Sequence, residues 1–144
     1  MKAEEIIEEA LTAAQNRGIK IVRGAIFDWR DNADPSRRGK MPCACNAVGA
    51  VLLHFGMQDL ARGGFSEGWI EKLCGSLGTT WPWLWRFIHG WDYGSCLTVT
   101  YMEKGKERTA HDETSRDANR LALEWARRAN AAPLHAAAPE DQGR

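Results

Sequence analysis

The sequence predicts a small α+β domain, about five helices packed around a buried central helix with a small antiparallel sheet or hairpin. Three observations predict it. Residues 3–17 carry an apolar stripe at helical spacing, residues 43–55 are almost continuously apolar, and residues 97–111 alternate around a Lys104-Gly105 turn. At 144 residues the chain is long enough for one domain with a real core. Residues 1–130 are expected to form it, and the Ala- and Pro-rich residues 131–144 a flexible tail.

In chain order, Ile6, Ile7, Ala10, Leu11 and Ala14 face one way while Glu4, Glu5, Glu8 and Glu9 face the other, and Gly18 stands where a helix stops. Residues 19–23 and 25–29 read as strand, bent at Gly24, and are expected to share an antiparallel sheet with the later hairpin. Residues 30–42 form a polar, breaker-rich loop with four cations. A buried helix then runs over 43–55, with Gly49 and Ala50 small enough to admit another backbone. Ser66 and Gly78 bound a helix carrying Trp69, Ile70, Leu73 and Leu77. Thr79 or Thr80 caps the next, where Pro82 falls in the first turn and Trp81, Trp83, Leu84, Trp85, Phe87 and Ile88 are too many for one face. The run Gly90-Trp91-Asp92-Tyr93-Gly94 is expected to break that helix into a loop. After the hairpin, Thr114-Ser115-Arg116-Asp117 reads as a capping box before the stripe Ala118, Leu121, Ala122, Trp125, Ala126 and Ala129.

Leu, Ile, Val and Phe supply only 26 residues, a poor supply for a core, but seven Trp and a formal net charge of zero set the chain apart from disordered sequences. A pI near 6.9 gives no global field to draw the molecule onto DNA or an anionic membrane. The acidic N-terminal stretch does not resemble a secretory signal, and no apolar window approaches the roughly 18 residues of a membrane span. A cytoplasmic setting with reduced thiols is therefore expected for Cys43, Cys45, Cys74 and Cys96.

Four constellations could carry chemistry. Cys43 and Cys45, at the start of a predicted helix, would meet unsatisfied N–H groups that lower a thiol pKa, and either could be a nucleophile with His89 or His111 as base and Asp92 orienting it. His54 lies nine residues beyond Cys45 on the predicted helix, about 13 Å along its axis, and cannot serve that thiol. Small buried residues opening a core helix are the commoner explanation of such cysteines. The four cysteines with His54 or His89 lack the paired Cys-x-x-Cys spacing of a zinc site, so neither metal nor cofactor is expected. Four Trp between positions 81 and 91 mostly suit core packing, whereas Trp91, Asp92 and Tyr93 offer rings and a carboxylate together to a ligand. Lys104, Lys106, Arg108, Arg116, Arg120 and Arg127 could form a basic face for nucleic acid, diluted by Asp117 and Glu124.

The order of helix, Trp-bearing extended segment, Cys-led Gly-Ala helix, Trp-Asp segment and final amphipathic helix resembles a family of small bacterial and phage proteins. Those proteins carry Cys-x-x-Gly-Ala and Trp-Asn-Asp segments. Here the matching residues are Cys43 or Cys45 with Gly49-Ala50, then Trp91-Asp92 without the Asn, then residues 118–128, with the hairpin as an insertion. The resemblance implies a fold and a setting of small accessory proteins, and no reaction. With aromatic surface plentiful and no complete catalytic set, the sequence reads as a non-catalytic binding or interaction module whose partner is a protein or small molecule. A thiol-dependent hydrolase or transferase and a nucleic-acid binder are the alternatives.

Overall fold

A computed structural model describes residues 2–29, 41–61, 67–94 and 98–133. Among them are helices α1 (Ala3–Asn16), α2 (Ala47–His54), α3 (Glu67–Leu77), α4 (Trp81–Tyr93) and α5 (Asp112–Arg128), and strands β1 (Lys20–Arg23), β2 (Phe27–Asp28), β3 (Ala44–Cys45), β4 (Thr98–Glu103), β5 (Lys106–His111) and β6 (Ala132–Pro133). The predicted α+β class holds. Most of the 30–42 loop, Ser66, Cys96, Leu97 and residues 134–144 lie outside the described residues.

The stripe of α1 is buried as its spacing demands. The helix ends in a Schellman turn, in which Gly18 takes a φ of 81° and the Ile19 N–H reaches back 3.0 Å to the Ala14 carbonyl. Helix α5 ends the same way, with Asn130 at a φ of 55° and Ala131 donating to Ala126 over 3.0 Å. Both turns feed directly into strands, and these strands, β1 and β6, lie side by side and parallel. Residues 132 and 133, expected in the tail, thus complete a sheet.

That sheet is where the structure departs most from the sequence reading. Its order is β2-β3-β1-β6, with β1 parallel to both neighbours and β2 antiparallel to β3. The hairpin β4-β5 forms a separate two-stranded sheet. Its apolar face is only Val99, Tyr101 and Ala110, and α4 covers it: Tyr101 stacks against both Trp81 and Trp85, at centroid distances of 6.3 and 5.9 Å. Edge pairing with β1 is unnecessary once those rings supply the cover.

The predicted helix over 43–55 begins later. Cys43, Ala44 and Cys45 are extended, and Asn46 opens α2 by accepting the Gly49 N–H over 2.8 Å through its side chain. Every residue from Ala47 to Leu53 is buried, so α2 is the central helix expected. Helix α4 runs through Gly90 to Tyr93 instead of breaking there, and its excess of apolar residues finds three partners. Leu84, Phe87, Ile88 and Trp91 enter the core, Trp81 and Trp85 hold the hairpin, and Gly90 meets α5. In α5 the break in helical geometry falls at Ser115, whose φ of −151° interrupts the run. Its hydroxyl donates to the His111 carbonyl and receives a hydrogen bond from the buried Arg86. The Thr114 side chain lies outside the described residues.

Two glycines admit close approaches. A Cβ on Gly49 would collide with the Ile26 carbonyl oxygen and lie 2.8 Å from Cys45 Cβ; one on Gly90 would lie 2.7 Å from Asn119 Nδ2 and 3.1 Å from Ala122 Cβ. Gly49→Ala should cost stability at the upper end of about 1–3 kcal/mol and Gly90→Ala somewhat less, whereas Gly75→Ala, with open space around it, should gain about 0.5–1 kcal/mol from helix propensity. Urea midpoints of the three variants check the order, and equal losses at positions 49 and 75 would overturn the packing.

Candidate functional site

Continuation of α4 through Gly90 changes which residues belong together. In a helix, His89, Asp92 and Tyr93 are neighbours at i, i+3 and i+4, while Trp91 points elsewhere. Trp91 is 1 % exposed, stacks on Phe87 and donates its indole N–H to the Val22 carbonyl over 2.8 Å. Its ring is core and is closed to a ligand. Tyr93 is 74 % exposed, with its ring 5.3 Å from that of the half-buried His89.

Asp92 lies between these extremes. Its Oδ1 accepts the Gly24 N–H over 2.9 Å and the Asn46 Nδ2 over 3.2 Å, while Oδ2 lies 3.3 Å from the same Nδ2. Burial raises the carboxyl above its ordinary value, and the bonds from Gly24 and Asn46 with the charges of His89 and Arg23 pull it only partly back. Burial lowers His89, and the Asp92 charge opposes that shift. Gly24 follows β1 and Asn46 follows β3, so the site sits at the carboxyl ends of two parallel strands, a frequent place for ligands in sheets of this kind.

The thiols are elsewhere in chemical terms. Cys45 is fully buried and pushed up to about 12 by desolvation; Cys74 is raised to about 11, chiefly by the same cause. Cys43 donates its S–H to the Asp28 carbonyl over 3.2 Å. Neither Cys43 nor Cys45 opens a helix, so the N-terminal activation expected for them is absent; Asn46 holds that position. His54 lies 3.8 Å from Glu9 of α1. Among the described residues no group of three or more His, Cys, Asp or Glu is placed to hold a metal ion.

The basic residues are dispersed. Pairing puts Lys106 opposite Glu103 and Arg108 opposite Tyr101, in the strand rows whose other members, Val99 and Ala110, are buried under α4; Lys104 sits in the turn. On α5, Arg120 pairs with Asp117 at 3.2 Å, while Arg128 pairs with Glu124 at 3.7 Å and lies 4.3 Å over the Trp125 ring. Arg116 and Arg127 are exposed on the same helix. No helix among the described residues is long and apolar enough to cross a membrane.

Sequence reasoning picked Asp92 and Tyr93, with Trp91, for the ligand and considered His89 as a catalytic base or a zinc ligand, not as part of that site. Reading Gly90 as a breaker hid the i, i+3, i+4 spacing that joins the three. Asn46 was also missed, although an Asn before an apolar run is an N-cap signal. Comparison of the chain with protein-family models, curated proteins and solved structures finds no match.

Two outcomes follow from this geometry. A carboxyl whose folded pKa exceeds its unfolded value binds its proton more tightly when folded, so Asp92 makes stability fall as pH rises between its ordinary and raised values. Asn46→Asp keeps the cap but sets a second carboxylate against Asp92; it should cost about 2 kcal/mol or more at neutral pH, and the loss should shrink on acidification already above the ordinary carboxyl value, because Asp92 is raised. A loss independent of pH in urea titrations would remove Asp92 from that contact. In native protein at pH near 8, Cys43 should alkylate while Cys45 and Cys74 react only on unfolding. Peptide mapping checks this, and native alkylation of Cys45 at a free-thiol rate would contradict its burial.

Proposed function

We propose that this chain is a non-catalytic binding module, a small accessory protein that docks a partner protein on the His89–Asp92–Tyr93 face. The observation that carries the reading is the exposed Tyr93 ring, next in sequence to a carboxylate already largely withdrawn from water. Tyr is enriched among residues that dominate interface energetics, and its ring face attracts a cation. Asp92 has paid part of its desolvation cost before any partner arrives, so a basic side chain stacked on Tyr93 and donating to Asp92 is the contact this face favours. The resemblance to small bacterial and phage proteins supports the accessory setting.

Neither alternative has a comparable observation behind it. The burial of Cys45 speaks against it as a nucleophile, Cys43 opens no helix, and Asp117 and Glu124 dilute the positive charge along α5. The test places a photo-crosslinking residue at position 93 and, as a control, at Met102, which is also exposed but on the hairpin. A discrete adduct formed in cells from position 93, weakened by Asp92→Asn and absent from position 102, is the expected result. Identical adducts from both positions, or indifference to Asp92→Asn, would refute the docking face.

A further inference from the structure

A second concavity lies where the start of α1, the α3–α4 connection and α5 meet. It encloses about 420 Å³, within the ~300–1,000 Å³ of small-molecule sites. Ala3, Trp83 and Leu121 give it apolar walls; Lys2, Arg120 and Thr80 line it with donors. Trp83 is held flat by Phe87, the rings 11° from parallel at 5.4 Å, so the indole is a fixed surface. Gly78, also in the lining, contributes no side chain, and a Cβ there would meet nothing within 4 Å.

The polar groups lean toward binding an anion. Among the described residues Lys2 has no ion-pair partner. Arg120 uses one terminal nitrogen for Asp117, leaving most of its five-donor fork. The Thr80 oxygen already accepts the Trp83 N–H over 3.3 Å, so its hydroxyl hydrogen is free to donate into the groove. Two carboxylates line it as well, Asp117, paired with Arg120, and Glu4, in the first turn of α1, so preference for an anion rests on the donors that Lys2, Arg120 and Thr80 leave unused and not on net charge.

We propose that this groove binds a small aromatic anion, a planar ring stacked on Trp83 with its carboxylate or phosphate held by Lys2 and Arg120. The inference is independent of the docking face on α4. Stacking supplies affinity for any flat ring, and the two cations select an acidic one.

Titration of nitrogen-15-labelled protein with indole-3-acetate, adenosine monophosphate, indole and inorganic phosphate tests it. At least one of the two ring-bearing acids should bind with a Kd below about 1 mM, shifting amides near residues 78–83 and 117–121, and roughly tenfold tighter than indole or phosphate alone. Binding of indole-3-acetate alone identifies a carboxylate ligand, and binding of the nucleotide alone a phosphate one. Lys2→Glu and Arg120→Glu, both at exposed positions, should each weaken binding severalfold without changing the thermal midpoint. Indole binding as tightly as its acid, indifference to both charge reversals, shifts confined to other surfaces, or no binding in the millimolar range would each overturn the proposal.

Discussion

The carboxylate of Asp92 is the tie on which the arrangement of elements depends. Through one side chain the last turn of α4 grips the backbone at Gly24, where the chain leaves β1, and the amide of Asn46, where it leaves β3. Asn46 passes the constraint on, because the oxygen at the other end of its amide caps α2. The neighbouring Trp91 adds a bond to Val22 one residue earlier on β1. Three segments far apart in sequence are thereby fixed in one place. Burial nevertheless raises the Asp92 carboxyl, so the bonds it receives do not fully repay its desolvation. The interaction therefore specifies the geometry more than it stabilises the fold.

A chain poor in Leu, Val and Phe meets its packing requirement with extremes of size. Indoles fill the large spaces: Trp69 and Trp91 are almost fully buried, and Trp81 and Trp85 hold the hairpin through Tyr101. Glycine and alanine close the rest, with Gly90 of α4 set against Ala122 and Asn119 of α5 and Gly49 against the Ile26 carbonyl. Rings need flat partners and close helices need bare ones, and α4 supplies both. Its aromatic run, which looks excessive for an amphipathic helix, is divided among the core, the hairpin and α5.

The same turn of α4 carries the half-buried His89 and the exposed Tyr93 beside Asp92, so the candidate docking face rests directly on the packing node. Residues from Cys45 to Ala50 and Trp91-Asp92 are mainly structural: a buried thiol, a close-approach glycine, a core ring and a tying carboxylate, while the next residue, Tyr93, faces solvent.

The sequence by itself determined the local elements. The α1 stripe, the buried central helix, the Thr80 cap with Pro82 in the first turn and the hairpin turn at Lys104-Gly105, both of positive φ, follow from periodicity and backbone sterics. Those forces act within a few residues and leave a readable pattern. Only the tertiary structure decided that β1 lies between two parallel neighbours, that residues 132 and 133 join the sheet, and that Gly90 continues a helix. Parallel pairing and the Asp92 tie join residues 24 to 110 positions apart, and no local spacing encodes such a meeting. Gly90 shows the difference most plainly. Its weak helix propensity, worth about 1 kcal/mol, favours a break. The contact with α5, which admits no side chain there, outweighs it, and the carboxylate, imidazole and phenol of the candidate site fall on one face as a result.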